Sequence, residues 1–161
     1  MKPQPLVITL TAGLLAGLVG CARINDAGLS LVSSTRPAAA VVDDQLLQGD
    51  IRLFPDHTGT VTLRANGEPS LGAAALTSCM GRLRNTATTT GAIDLRCNGG
   101  VMANVSMTLL GDTRGYGYGS TTSGTASLVF GLSMADTRAY LRVPANRQLV
   151  DHAEAPYLEL K

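Results

Sequence analysis

The chain has no tryptophan, two phenylalanines and two histidines, and aromatic residues make up 4% of it. A core built from it must therefore be largely aliphatic. Histidine chemistry has little material to draw on: His57 falls in a turn-forming stretch and His152 in a weakly patterned tail, far apart in sequence. There is no Gly-x-Ser-x-Gly nucleophile elbow, and possession of Ser, His and Asp without a defined geometry does not make a triad. A phosphate-binding loop is excluded because the Gly-rich run at 115–119 has no Lys-Ser/Thr after it and opens no helix. Asp50, Asp56, Asp94 and Asp112, the carboxylates that could serve glycosidase chemistry, mostly map to turns or strand ends and the sequence does not pair them, and no His-rich or carboxylate-rich cluster suggests a metal. The expectation is a non-enzyme without cofactor or metal.

What is present begins with an anchor. Lys2 precedes an apolar run from Leu6 to Val19, interrupted by Thr9 and Thr11. That run is shorter than the roughly 20 residues a helix needs to cross a bilayer. A basic start, a short apolar core and a small-residue exit are the marks of a secretory signal peptide. The exit, Leu18-Val19-Gly20-Cys21, resembles the bacterial lipobox. The resemblance covers residues 1–21 and implies that the Cys21 thiol is lipidated and the bond before it is cut. Acyl chains contribute about 0.8 kcal/mol per buried CH₂, so two or three hold a protein durably on a membrane. Ala22 stands where the resemblance would place Asp for inner-membrane retention. The implied location is the bacterial cell envelope, at the outer membrane facing the periplasm.

Of the 13 Lys and Arg, Lys2 alone precedes Cys21, so the remainder balances the 12 Asp and Glu. A neutral mature chain argues against a nucleic-acid partner, for which clustered Arg and Lys are expected. With Cys21 assigned to lipid, Cys79 and Cys97 remain. In an oxidising compartment they are expected to form a disulfide. The competing reading, a metal or redox pair, lacks a C-x-x-C motif and nearby histidines.

The domain reading is a signal peptide at 1–20, a lipid-anchored tether at 21–47, a β domain at 48–143 and a C-terminal tail at 144–161. The tether rests on weak periodicity and the Ala38-Ala39-Ala40 run; the alternative is a first edge strand using Leu29, Leu31 or Val41. Asp50–Leu53 and Thr60–Arg64 alternate polar and apolar around the turn formers Pro55 to Gly59. A hairpin centred on His57 pairs Leu53 with Val61 and Ile51 with Leu63, all on one face. If Cys79 opposes Cys97, Gly81 meets Leu95, Leu83 meets Ile93 and Arg82 meets Asp94 as a cross-strand ion pair. The pattern Gly-x-Ile/Val-x-Leu-Arg occurs at 59–64 and again at 91–96, which suggests similar strands in a meander.

Val101, Ala103, Val105, Met107 and Leu109 form a period-two apolar row. Gly111-Asp112 has the form of a two-residue type II′ loop. That loop pairs Leu110 with Thr113, Met107 with Tyr116 and Val105 with Tyr118, and so puts both tyrosines on the core face. The functional alternative exposes Tyr116 and Tyr118 as a ligand-binding pair stacking on sugar rings. Ala126, Leu128 and Phe130 mark a last main strand. Ser133 and Asp136 resemble a capping box for a helix from Met134 to Leu141, whose Met134, Leu141 and Ala135 or Ala139 would close one end of the core. Tyr157, Leu158 and Leu160 supply either an edge strand or a loose terminus.

The expected fold class is all-β: an antiparallel meander of about six or seven strands, as a curved sheet or small open barrel, with one short C-terminal helix. A two-sheet sandwich is the alternative. The Cys79–Cys97 and Gly-Tyr-Gly-Tyr-Gly segments resemble parts of uncharacterised bacterial lipoproteins. The expected function is a membrane-anchored envelope lipoprotein acting as a non-catalytic structural or protein-binding module, its contact made by a sheet edge or the tail. The alternative is a cell-wall glycan or small-ligand binding module, with a hydrolase third.

Overall fold

In the computed structural model, residues 32–66, 76–151 and 158–161 are described. Cys21 and His152 lie outside them, as does Tyr157. Eight strands alternate inward and outward side chains: β1 Ser34–Val42, β2 Gln45–Leu53, β3 Gly59–Ala65, β4 Ser78–Ala87, β5 Thr90–Cys97, β6 Met102–Gly111, β7 Arg114–Thr121 and β8 Thr125–Phe130. Each pairs antiparallel with the next, and β8 pairs back onto β1, so the sheet closes into a barrel. The expected open sheet of six or seven strands is corrected to a closed barrel of eight.

The strands that complete the barrel lie largely in the segment 21–47, expected to be a tether. The β domain therefore starts well before Gln48. The Ala-rich run reads weakly as a strand because alanine has low β propensity. Inside the barrel it is an asset: Ala38 stands between Gly49 and Phe130, and Ala40 between Leu47 and Leu128. Small barrels fill their interiors by setting small residues against large ones. Asp43 and Asp44, at φ 46° and 66°, form the tight turn from β1 to β2, the left-handed pair that a type I′ hairpin requires. The Asp43 carboxylate accepts hydrogen bonds from Thr121 Oγ1 at 2.6 Å and Ser123 Oγ at 2.8 Å. This clasp ties the β1–β2 turn to the β7–β8 turn beside the closing seam.

The β2–β3 hairpin is tighter than expected. Leu53 pairs with Gly59 and Ile51 with Val61, a shift of two residues from the expected partners. Phe54 C=O accepts from His57 N–H at 3.0 Å, and His57 takes φ 62°. This is a three-residue loop closed by a left-handed residue, with Pro55 placed where its fixed φ suits the turn. A shift of two preserves parity, so Ile51, Leu53, Val61 and Leu63 still share the buried face.

The β4–β5 register has Cys79 opposite Cys97, Gly81 opposite Leu95, Arg82 opposite Asp94 and Leu83 opposite Ile93. The disulfide forms between the two buried cysteines. Closing a loop of that size contributes about 3 kcal/mol in the chain-entropy account. The ion pair differs from expectation. Asp94 bonds the diagonal Arg84 rather than Arg82 and also accepts from Asn104 Nδ2. A long arginine reaches a diagonal neighbour readily, and that leaves Arg82 without an acidic partner among the described residues.

The β6–β7 hairpin overturns the expected side for the tyrosines. The loop is Asp112-Thr113, Gly111 pairs with Arg114, and an irregularity between Leu109 and Gly111 leaves Leu110 as an extra residue. Gly111 takes up this bulge at φ 148°. The pairs beyond it are Met107 with Gly117 and Val105 with Gly119. A slip of one residue reverses the face of every side chain, so Gly115, Gly117 and Gly119 line the interior and Tyr116 and Tyr118 point outward. The space over these glycines is already filled: a Cβ on Gly115 would lie 3.0 Å from Phe130 Cε1, and one on Gly117 would collide with Met107 Sδ.

After β8 come α1 (Met134–Tyr140), β9 (Leu149–Asp151) and β10 (Leu158–Leu160), the last two forming a separate antiparallel ribbon. Ser133 caps α1 by accepting from Asp136 N–H at 3.2 Å. The helix does not close an end of the barrel core. Met134, Ala135 and Ala139 are exposed, while Leu141 is buried in a second apolar cluster outside the barrel with Ala39, Val41 and Val129. The segment 144–161, expected to be a tail, thus contributes described strands. No helix among the described residues is long and apolar enough to cross a membrane.

Gly117→Ala is expected to cost about 2–3 kcal/mol, because the new methyl meets the Ser106 carbonyl as well as Met107 and the backbone cannot yield. The midpoint of urea unfolding, compared with wild type, measures it.

Candidate functional site

Among the described residues the interior is lined by apolar side chains: Leu47, Ile51, Leu63, Ile93, Val105 and Leu128 are all at 0% exposure. The outer wall carries the polar groups. It divides into two parts.

The first part is the outer face of β7, β8, β1 and the start of β2, and the C-terminal segment lies across it. Tyr116 stacks on Tyr140 with ring centroids 4.2 Å apart. The Tyr118 ring lies under the Arg142 guanidinium, 3.9 Å from the centroid, and its hydroxyl donates to the Tyr140 carbonyl at 2.8 Å. Both rings are half-buried. The expectation that they lie in the barrel core is overturned: both point outward, and within the chain they seat this segment.

Two further residues hold the same segment, and the sequence pattern pointed to neither. Ser127 Oγ accepts from the Arg142 N–H at 3.1 Å and donates to the Arg142 carbonyl at 3.2 Å. Gln48 accepts from the Leu158 N–H at 2.8 Å and donates to the Leu158 carbonyl at 2.6 Å. Tyr118, Ser127 and Gln48 therefore all bond to backbone atoms of the strap. An ion pair between Arg138 and Asp151 ties α1 to β9. The available signal was polar residues at outward strand positions, but their partners are distant in sequence.

The second part is the outer face of β2 to β6. Arg52, Arg64, Arg82, Arg84 and Arg96 are exposed there, with Asp50 and Asp94 among them. Met80 and Met102 are 63% and 57% exposed on the same wall. A polar outside over an apolar inside is the inverse of a lipid-embedded barrel, whose apolar band faces outward.

The protein resembles a solved structure of a redesigned β barrel. The two are 19% identical with a TM-score of 0.46, over 65% of this chain and 93% of that chain. No protein-family model matches the chain, and neither does any curated protein.

The remaining candidates are scattered. Asp50 is on β2, Asp94 on β5, Asp56 in the β2–β3 turn and Asp112 in the β6–β7 turn. His57 is exposed at the tip of its hairpin. Among the described residues, no three His, Cys, Asp or Glu side chains cluster as a metal site. Asp56 has a local role: its carboxylate accepts from Thr58 Oγ1 at 2.7 Å and Thr58 N–H at 3.0 Å. Those bonds, the side-chain one first, hold its pKa below the usual aspartate value.

Two outcomes follow. Tyr118→Phe is expected to lower stability by about 1 kcal/mol through loss of one hydrogen bond, and to speed amide exchange in α1 and β9 more than in β4 and β5. Hydrogen exchange read by mass spectrometry checks this. For Asp56, the depressed folded pKa means that its stabilising contribution is present above the unfolded value and is lost as pH falls through the folded one. Carboxyl carbon shifts in an NMR titration are expected to place its midpoint below that of an unstructured aspartate.

Proposed function

We propose that the chain is a bacterial envelope lipoprotein, held on the membrane through Cys21, whose barrel is a non-catalytic protein-binding module. The observation that carries this reading is the filling of the barrel by its own side chains. Leu47, Ile51, Ile93 and Leu128, with Phe130 at 1% exposure, occupy the volume that a small ligand would need. Recognition then falls to the outer wall. The lipobox Leu18-Val19-Gly20-Cys21 supports the anchor, and the Cys79–Cys97 disulfide is at home in the oxidising compartment that such an anchor implies. Closure leaves no free edge in the barrel, so a contact through a barrel edge is replaced by a contact through side chains of the wall.

Metabolic labelling with an alkyne-bearing palmitate, followed by membrane fractionation, tests the anchor. The wild-type chain is expected to carry label and to sediment with membranes, and Cys21→Ala to lose both properties. Label retained by Cys21→Ala, or absent from wild type, would overturn the reading.

A further inference from the structure

The wall left uncovered by the C-terminal strap is unusual in three respects. Its charge is mostly positive, with Arg52, Arg64, Arg82, Arg84 and Arg96 against Asp50 and Asp94, although the chain as a whole is near neutral at +1. Asp94 is already engaged by Arg84 and Asn104. Arg52, Arg64, Arg82 and Arg96 form no ion pair with a carboxylate among the described residues. Its bases are all arginine, in a chain whose lysines are Lys2 and Lys161. Arginine presents a planar fork of donors that matches a carboxylate bidentately.

The third respect is apolar. The β4–β5–β6 register sets Met80 opposite Arg96 and Arg96 opposite Met102. Strands about 4.8 Å apart place the two methionines roughly 10 Å from one another, on either side of the guanidinium stem. Methionine is an adaptable apolar contact. Protein–protein interfaces are enriched in Met and Arg and depleted of Lys.

We propose that this wall, with Arg52, Arg82, Arg96, Met80 and Met102 at its centre, docks a protein whose surface is concave and rich in Asp and Glu. Charge complementarity selects an acidic partner. Shape selects a protein over a bilayer. The residues spread over β2 to β6 of an eight-stranded barrel, so the face is strongly convex and meets a flat surface along one strip. A concave partner engages the arginines on β2, β4 and β5 together. The inference rests on the protein-binding reading above and adds to it the face and the chemistry of the partner.

The test places the photo-crosslinking residue p-benzoylphenylalanine at Met80, at Met102 or, as a control on the strap side, at Ala139. The full chain is used in intact cells of its own bacterium. Crosslinks are expected from Met80 and Met102 to one protein, at an Asp/Glu-rich peptide identified by mass spectrometry, and not from Ala139. Arg82→Glu with Arg96→Glu is expected to reduce the yield at least about tenfold, with thermal midpoint and disulfide unchanged. Reversing the charge of the partner's acids is expected to restore it.

Crosslinks from Ala139 alone would overturn the proposed face while leaving a protein-binding role standing. Adducts with lipid alone would overturn the proposal in favour of a bilayer contact. A crosslinked peptide without acids, or a yield indifferent to the arginine reversals in a folded chain, would overturn the charge argument. No protein adduct from any of the three positions would overturn the proposal together with the reading on which it rests.

Discussion

Space inside a closed eight-stranded barrel is the constraint from which the rest of this structure follows. Such a barrel has room for one layer of interdigitated side chains and little more. Phe130, Met107, Leu128 and Leu47 take that room, and what faces them must be small. The small partners are Ala38 and Ala40 on β1 and the glycine row on β7. A methyl group at Gly117 or Gly119 would collide with the neighbouring strand's carbonyl oxygens. The glycines are therefore interior residues by necessity, and the tyrosines between them are exterior ones.

Outward tyrosines create the second cluster. Rings on a barrel wall would be wet on both faces, and here the C-terminal segment covers them. The strap is seated by Tyr140 and Arg142 on the rings, by Leu141 against Val41 and Val129, and by Ser127 and Gln48 on backbone groups. Hydrogen bonds of this kind contribute about 1 kcal/mol each. A segment held by a few of them and a small apolar patch belongs to the low end of a protein's local stability range, below the disulfide-stapled strands. The wall is thereby divided into a covered, apolar part and an uncovered part rich in arginine.

Much of the uncovered part is legible in the order of residues alone. The repeated Gly-x-Ile/Val-x-Leu-Arg pattern puts Arg64 and Arg96 at outward positions of two strands, and Gly59 and Gly91 at inward ones beside Leu83. Taking Cys79 as inward makes Met80 outward by parity. What parity does not say is which strands become neighbours around the barrel, or that Asp94 turns to Arg84 and leaves Arg82 without a carboxylate among the described residues.

The amino-acid sequence by itself determined the all-β class, the β4–β5 register through its opposed cysteines, the inward set of β2 and β3, and the cap of α1. Each of these depends on local chemistry or on a period of two, which survives an error of two residues in a turn. Tertiary structure alone decided the rest. β1 is a strand because β8 and β2 offer it large side chains to fill against, which an alanine run does not announce. The tyrosines face out because the interior is full and a one-residue bulge at Leu110 absorbs the difference. The strap lies where it does because Gln48, Ser127 and Tyr118 meet backbone groups distant in sequence, and no local pattern encodes such a meeting.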